Sequence, residues 1–209
     1  MADTGQPDPF AGRDQFEDET FTDVELPQGD LSGKEFIRCR FERGRFEASR
    51  WQGAHLEDCV FEGCDLARIQ PAKLGVRGVE FRNCRLTGVD WSDIGANPAI
   101  AFIGCNLQYA SFVRVNLTGT RFTRCRLLEV NFVESRLVDA VFTESDLSGS
   151  RFDHCDLRKA DFSGAQGLLL DPGRNTVKGA RINLAAAVSL ATAAGLKVSG
   201  FDDAPDERR

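Results

Sequence analysis

Large apolar residues recur at every fifth position, at Phe16, Phe21, Leu26, Leu31, Phe36, Phe41, Phe46, Trp51, Leu56, Phe61 and Leu66, and from Phe102 without a break to Phe162. Two positions earlier stands something small, as at Ala140, Ser145, Ser150, Cys155 and Ala160. A helix repeats near every 3.6 residues and a strand alternates, so a step of five fits neither alone. It predicts a short strand followed by a tight corner. The side chains at i and i−2 point inward, and the other three, mostly polar here, face solvent. Such a chain winds into a solenoid whose coils hydrogen-bond to one another.

The number of sides follows from the residue types. Taking every fourth centre gives Phe21, Phe41, Phe61, Phe81, Phe102, Phe122, Phe142 and Phe162, a column made wholly of Phe. A second column reads Leu26, Phe46, Leu66, Leu86, Leu107, Leu127 and Leu147; a third reads Leu31, Trp51, Pro71, Trp91, Phe112, Phe132 and Phe152. The fourth runs Phe16, Phe36, Leu56, Val76, Leu117, Leu137 and Leu157. Three-sided coils would mix these types, so the coil has four sides and about 20 residues. The spacing of Cys64, Cys84, Cys105 and Cys125 agrees, placing them at one i−2 column as small core residues. A ladder of parallel thiols does not converge into the tetrahedron that zinc requires.

The step from Phe81 to Phe102 is 21 residues, so SDIGANPAIA (92–101) fills one side as a bulge with one extra residue. Residues 1–14 have no centre in register and are expected to be disordered, and the β-helix is expected over 15–182. After Phe162 the repeat dissolves, with one last slot at Ala180 and Ile182. A helix and a strand are expected over 183–200, with Asn183 as N-cap and Gly195 as stop, then an acidic tail over 201–209. The uncharged run from Ile182 to Leu196 lacks the polar stripe of a helix that only caps an end, so it is expected to join two copies through Leu184, Ala187, Val188, Leu190, Ala191 and Leu196.

The repeat of a small residue, any residue, Leu or Phe and two more, as in CDLRKADFSGA, closely resembles the pentapeptide-repeat proteins over about residues 16–182. The resemblance implies an all-β solenoid: a right-handed quadrilateral β-helix of about eight coils with a C-terminal α-helix. The string KGARINLAAAVSLATAAGLKVSG is similar to the end segment of members that act on type II topoisomerases, among them the Qnr quinolone-protection proteins. The stretch VDWSDIGANPAIAFIGC resembles an interruption in the albicidin-immunity member. In that group the end helix pairs two molecules into a rod resembling duplex DNA. The resemblance thus implies a bacterial type II topoisomerase (DNA gyrase or topoisomerase IV) as partner.

Composition changes this picture in two ways. Residues 1–31 carry nine acids and one base, and 201–209 four acids and two bases, which leaves the other 169 residues at net +4 within an overall charge of −6. A DNA-like surface needs acid density rivalling one charge per ~1.7 Å, which that body does not supply in bulk. The candidate contacts are therefore the acidic first coil, with Glu17, Asp18 and Asp23, and the bulge, with Asp93, Ile94, Asn97 and Pro98. Direct nucleic-acid binding is not expected, because the body is weakly basic and shows little exposed aromatic surface.

The second concerns chemistry. His55 and His154 both occupy outward slots, and no Walker loop, dinucleotide fingerprint or nucleophile elbow occurs. No enzyme, cofactor or metal site is expected. The opening MADTGQPDPFAG lacks the basic start and apolar run of a signal peptide, the longest uncharged run is 15 residues, and the seven cysteines are odd in number. A cytoplasmic protein with reduced thiols and no membrane association is the expectation. Two functional readings stand at this point: a topoisomerase-directed rod, and an interaction scaffold with an unrelated partner.

Overall fold

Phe21, Phe41, Phe61, Phe81, Phe102 and Phe122 sit in register at the centres of six parallel strands, each a coil beyond the last. This computed structural model describes residues 8–201 and is the quadrilateral β-helix that the five-residue step predicts, about eight coils closed by one helix. The fourth column forms a second sheet, beginning at β1 (Gln15–Glu17) beside the six-stranded sheet that begins at β2 (Thr20–Thr22). The third column is regular only in the later coils, at Ser111–Val113, Asn131–Val133 and Arg151–Asp153. The second column holds by single bridges, Glu25 to Arg45 to Asp65 to Arg85 to Asn106 to Arg126.

The rings stack within each column and meet edge-on across the bore. Phe122 lies 5.3 Å from Phe102 and 4.9 Å from Phe142, nearly parallel to both, with Phe112 and Phe132 edge-on to it. The i−2 residue is more than a small filler. Ser145 Oγ donates to Phe122 O at 3.0 Å and accepts from Cys125 N at 2.9 Å, pairing two corner groups of the preceding coil that no strand ladder reaches. Cysteine makes the same donation more weakly, with Cys105 Sγ 3.2 Å from Phe81 O and Cys125 Sγ 3.3 Å from Phe102 O. All seven cysteines are buried and free, and desolvation pushes the Cys59 thiol up to about 12.

Nearly every corner is turned by a residue in the left-handed region, two positions after the centre. Gly33, Gly53, Gly63 and Gly88 take this slot, but so do Arg38, Ala48, Arg68, Glu129 and Lys159, with φ between 51° and 69°. Glycine adopts that conformation freely, whereas other L-residues strain in it. The closely packed coil thus imposes its geometry on residues that do not prefer it.

The two ends depart from the sequence expectation. Of residues 1–14, expected to be disordered, 1–7 lie outside the described residues, but Phe10 is fully buried. Its ring seals the first coil, edge-on to Phe16 and Phe36 at 5.6 Å each. At the other end the coil persists after Phe162. Leu168 is buried, and Asn175 replaces the usual Ser or Cys by accepting from Cys155 N at 2.9 Å and donating to Phe152 O at 2.9 Å. The helix α1 (Leu184–Ala193) follows, but no strand follows it among the described residues. Of the tail at 201–209, all but Phe201 lie outside the described residues.

Candidate functional site

The residues singled out from sequence fall at three separate places: the first coil, the bulge and the end helix. Glu17 and Asp18 follow Phe16 on the side of the coil that carries the bulge, but four coils before it, some ~19 Å away at a ~4.8 Å rise per coil. Asp23 lies around the next corner, after Phe21.

Five acids of the first coil, Glu17, Asp18, Asp23, Glu25 and Asp30, face arginines of the second. Arg38 Nε donates to Asp18 Oδ1 at 2.7 Å and also reaches Glu17. Arg43 grips both oxygens of Asp23, at 2.8 and 3.0 Å, and Arg50 meets Asp30 at 2.8 Å. Hydrogen bonds from Arg38 and Arg43 hold the carboxyls of Asp18 and Asp23 below the usual range. Asp30 is depressed by Ser32 first and Arg50 second. The pattern continues where Arg77 meets Glu57 and Arg85 meets Asp65, so acid and base alternate along the stack. Sequence reasoning missed it, although the signal is plain: an acid at one position and Arg at the equivalent slot 20 residues on.

The bulge is stitched to its neighbours. The second sheet stops at Gly75–Arg77, and the loop takes over its ladder: Gly95 N donates to Leu74 O at 2.9 Å and Ala99 N to Val76 O at 3.2 Å. Asn97 Oδ1 accepts from Asn116 Nδ2 of the following coil at 2.9 Å. Ile94 packs on the core and Pro98 is buried, which leaves Asp93 and Asn97 as the outward members of the predicted set.

The helix is anchored by one residue. Asn183 Oδ1 accepts from Ala186 N at 2.9 Å as N-cap, while its Nδ2 donates to Ala165 O at 2.6 Å in the last coil. Gly195 follows the helix with φ 79°, the left-handed C-terminal stop expected of it. Only Ala186 of α1 is buried. Ala187, Val188, Leu190 and Ala191 are half-buried, and Leu184 and Leu196 are 66% and 63% exposed. Between α1 and the last coils runs a cleft of about 330 Å³ with Leu168, Leu169 and Leu190 along it and Arg174 at its margin. No helix among the described residues is long and apolar enough to cross a membrane.

Comparison with known proteins agrees with this geometry. The model of the pentapeptide repeat region matches residues 34–112 and 98–168. The chain belongs to the pentapeptide-repeat family. The quinolone resistance pentapeptide repeat protein QnrB96 of Scandinavium goeteborgense is 32% identical over 106 residues, which cover 46% of this chain and 50% of that protein. The match thus spans about half the length of this curated relative. Among solved structures, HetL of Nostoc sp. strain PCC 7120, a pentapeptide repeat protein involved in heterocyst differentiation regulation, superposes with a TM-score of 0.56 at 18% identity, covering 83% of this chain and 89% of that one. That likeness bears on the fold alone. QnrB1, a plasmid-mediated fluoroquinolone resistance protein, aligns at 26% identity with a TM-score of 0.43 over 91% of this chain and 92% of its own.

Proposed function

We propose that the chain is a non-enzymatic rod that binds a bacterial type II topoisomerase, DNA gyrase or topoisomerase IV, in the cytoplasm and shields it from a poison. The observation that carries this reading is the 32% identity to a quinolone resistance protein built on the same repeat. About eight coils at ~4.8 Å make a rod of roughly 40 Å, and two joined end to end span roughly 80 Å, some two dozen base pairs at ~3.4 Å. In this reading α1 joins the two copies: it carries no charge, and Leu184 and Leu196 stand in solvent beside the leucine-lined cleft. Asp93 and Asn97 of the bulge, with Glu17, Asp18 and Asp23 of the first coil, are the contacts proposed for the enzyme.

Supercoiling by gyrase and decatenation by topoisomerase IV, each with and without a quinolone or an albicidin-type poison, test the function. Rescue or inhibition that weakens with added salt is expected. Indifference of both enzymes across a wide concentration range would remove the reading. For the dimer, Val188→Arg places a charge in the proposed interface and should yield a monomer with its β-signal intact. A wild-type chain that sediments as a monomer at micromolar concentration rejects the pairing.

One observation favours a scaffold for a different partner. Most acids of the first coil are matched by arginines of the second, so the surface there is a lattice of ion pairs rather than a bare run of negative charge. The same enzyme assays separate the two readings.

A further inference from the structure

Among the described residues, the N-terminal end of the rod is an open β-ladder. Within the stack, the amides of Arg40, Arg45 and Arg50 reach back to the carbonyls of Glu19, Val24 and Gly29 in the first coil. The equivalent amides of the first coil itself, on Thr20, Glu25 and Asp30, point the other way. There β1 and β2 are the outermost strands of their sheets, and nothing among the described residues receives these amides. Phe10 covers the rings of the first coil but adds no strand to either sheet. A parallel β-edge of this kind, with its core sealed and its backbone open, is a template for another chain.

The side chains around that edge are acidic. Within the stack such a layer is tolerated because the next coil presents Arg38, Arg43, Arg45 and Arg50 directly across it. A second copy meeting this end with its own first coil would instead bring carboxylates against carboxylates at rung spacing, ~4.8 Å. We propose that the acidic layer of the first coil is a guard that keeps the open end from pairing, edge to edge, with a second copy of this chain. The same residues that complete the ion-pair lattice on one side thus repel self-association on the other. This inference stands on the edge and its charges, and does not depend on the topoisomerase reading.

Sedimentation velocity on the full chain tests it, with Glu17→Gln, Glu25→Gln and Asp30→Asn combined. The expected result is at least a doubling of mass over the wild-type assembly at equal concentration, with β-signal unchanged. If α1 also joins two copies, the doubling continues into long rods; if it does not, it stops at one pair. Adding Thr20→Pro to the neutralised chain removes an edge amide that has no acceptor among the described residues, and should return the mass to the wild-type value. That return distinguishes edge pairing from unspecific aggregation. Should the neutralised variant fail to fold, raising the salt on wild type to about 1 M shortens the screening length to ~3 Å and should drive the same association. A folded neutralised variant that keeps the wild-type mass, or one that associates despite Thr20→Pro, overturns the proposal; so does a wild type unmoved by salt in the fallback.

Discussion

Trp51 donates its indole Nε1–H to Ser49 Oγ at 2.8 Å, inside the bore of the solenoid. Ser49 passes the bond on, donating to Phe46 O at 2.6 Å. Two coils later Trp91 occupies the same column, fully buried, but Val89 stands at the serine's slot and Trp91 Nε1 has no partner among the described residues. A buried unpaired donor costs about 1–3 kcal/mol. Ser49→Ala should therefore destabilise by about 1–3 kcal/mol, while Val89→Thr, which keeps one methyl and adds the missing acceptor, should be neutral or stabilising by up to about 1 kcal/mol. Urea denaturation of the two variants is the check. A Val89→Thr loss as large as that of Ser49→Ala would refute the account.

The Phe column should be the least forgiving part of the core. Phe122 is fully buried, its ring stacked on Phe102 and Phe142 within about one rung spacing and met edge-on by Phe112 and Phe132. Because each coil is tied by backbone hydrogen bonds to the coils on both sides, the cavity left by truncation has little room to collapse. Phe122→Ala is expected to cost about 3–5 kcal/mol. A loss below about 1 kcal/mol in chemical denaturation would contradict this packing.

The columns were legible in the sequence because each inward slot accepts a narrow set of residues, and a five-residue step repeats the test about thirty times. Phe10 escaped because it lies six residues before Phe16, one position out of register, and the end of a stack does not have to keep the corner spacing. The last coil escaped for a similar reason: Asn175 does with an amide what serine does elsewhere with a hydroxyl. The candidate contacts were legible as residues but not as surfaces. Whether Asp18 is a bare charge depends on Arg38, which is remote in sequence and adjacent in space.

Corner geometry was not legible at all, and it gives a third prediction. Turn signals in sequence are Gly, Asn and Asp, yet Ala48 turns its corner at φ 57° because the neighbouring coils fix the path. At Gly53, φ is 65° and a Cβ would meet nothing within 4 Å, so Gly53→Ala tests the backbone alone. It should cost about 1 kcal/mol, the penalty of a left-handed L-residue. Ala48→Gly should recover less than that, since glycine also loosens the unfolded chain. Equal thermal midpoints for Gly53→Ala and wild type would show that the coil does not impose this conformation.

Finally, the ion-pair lattice should write itself into the acid limb of the stability curve. Arg38 and Arg43 depress the carboxyls of Asp18 and Asp23 in the folded chain, whereas the unfolded chain returns them to about 3.9. A depressed carboxyl binds its proton more weakly when folded. Its contribution to stability is complete above the unfolded value and disappears as the pH falls through the folded one. Wild type should therefore lose stability below about pH 4 more steeply than Asp18→Asn combined with Asp23→Asn, and the two curves should converge at the acid end. Both groups are exposed, so salt should shrink the difference at every pH. Urea midpoints measured from neutral pH downward, at low and at high salt, provide the comparison. If the doubly substituted chain follows the wild-type curve throughout at low salt, the arginines lie near these acids without stabilising them, and the lattice is only a pattern of charge.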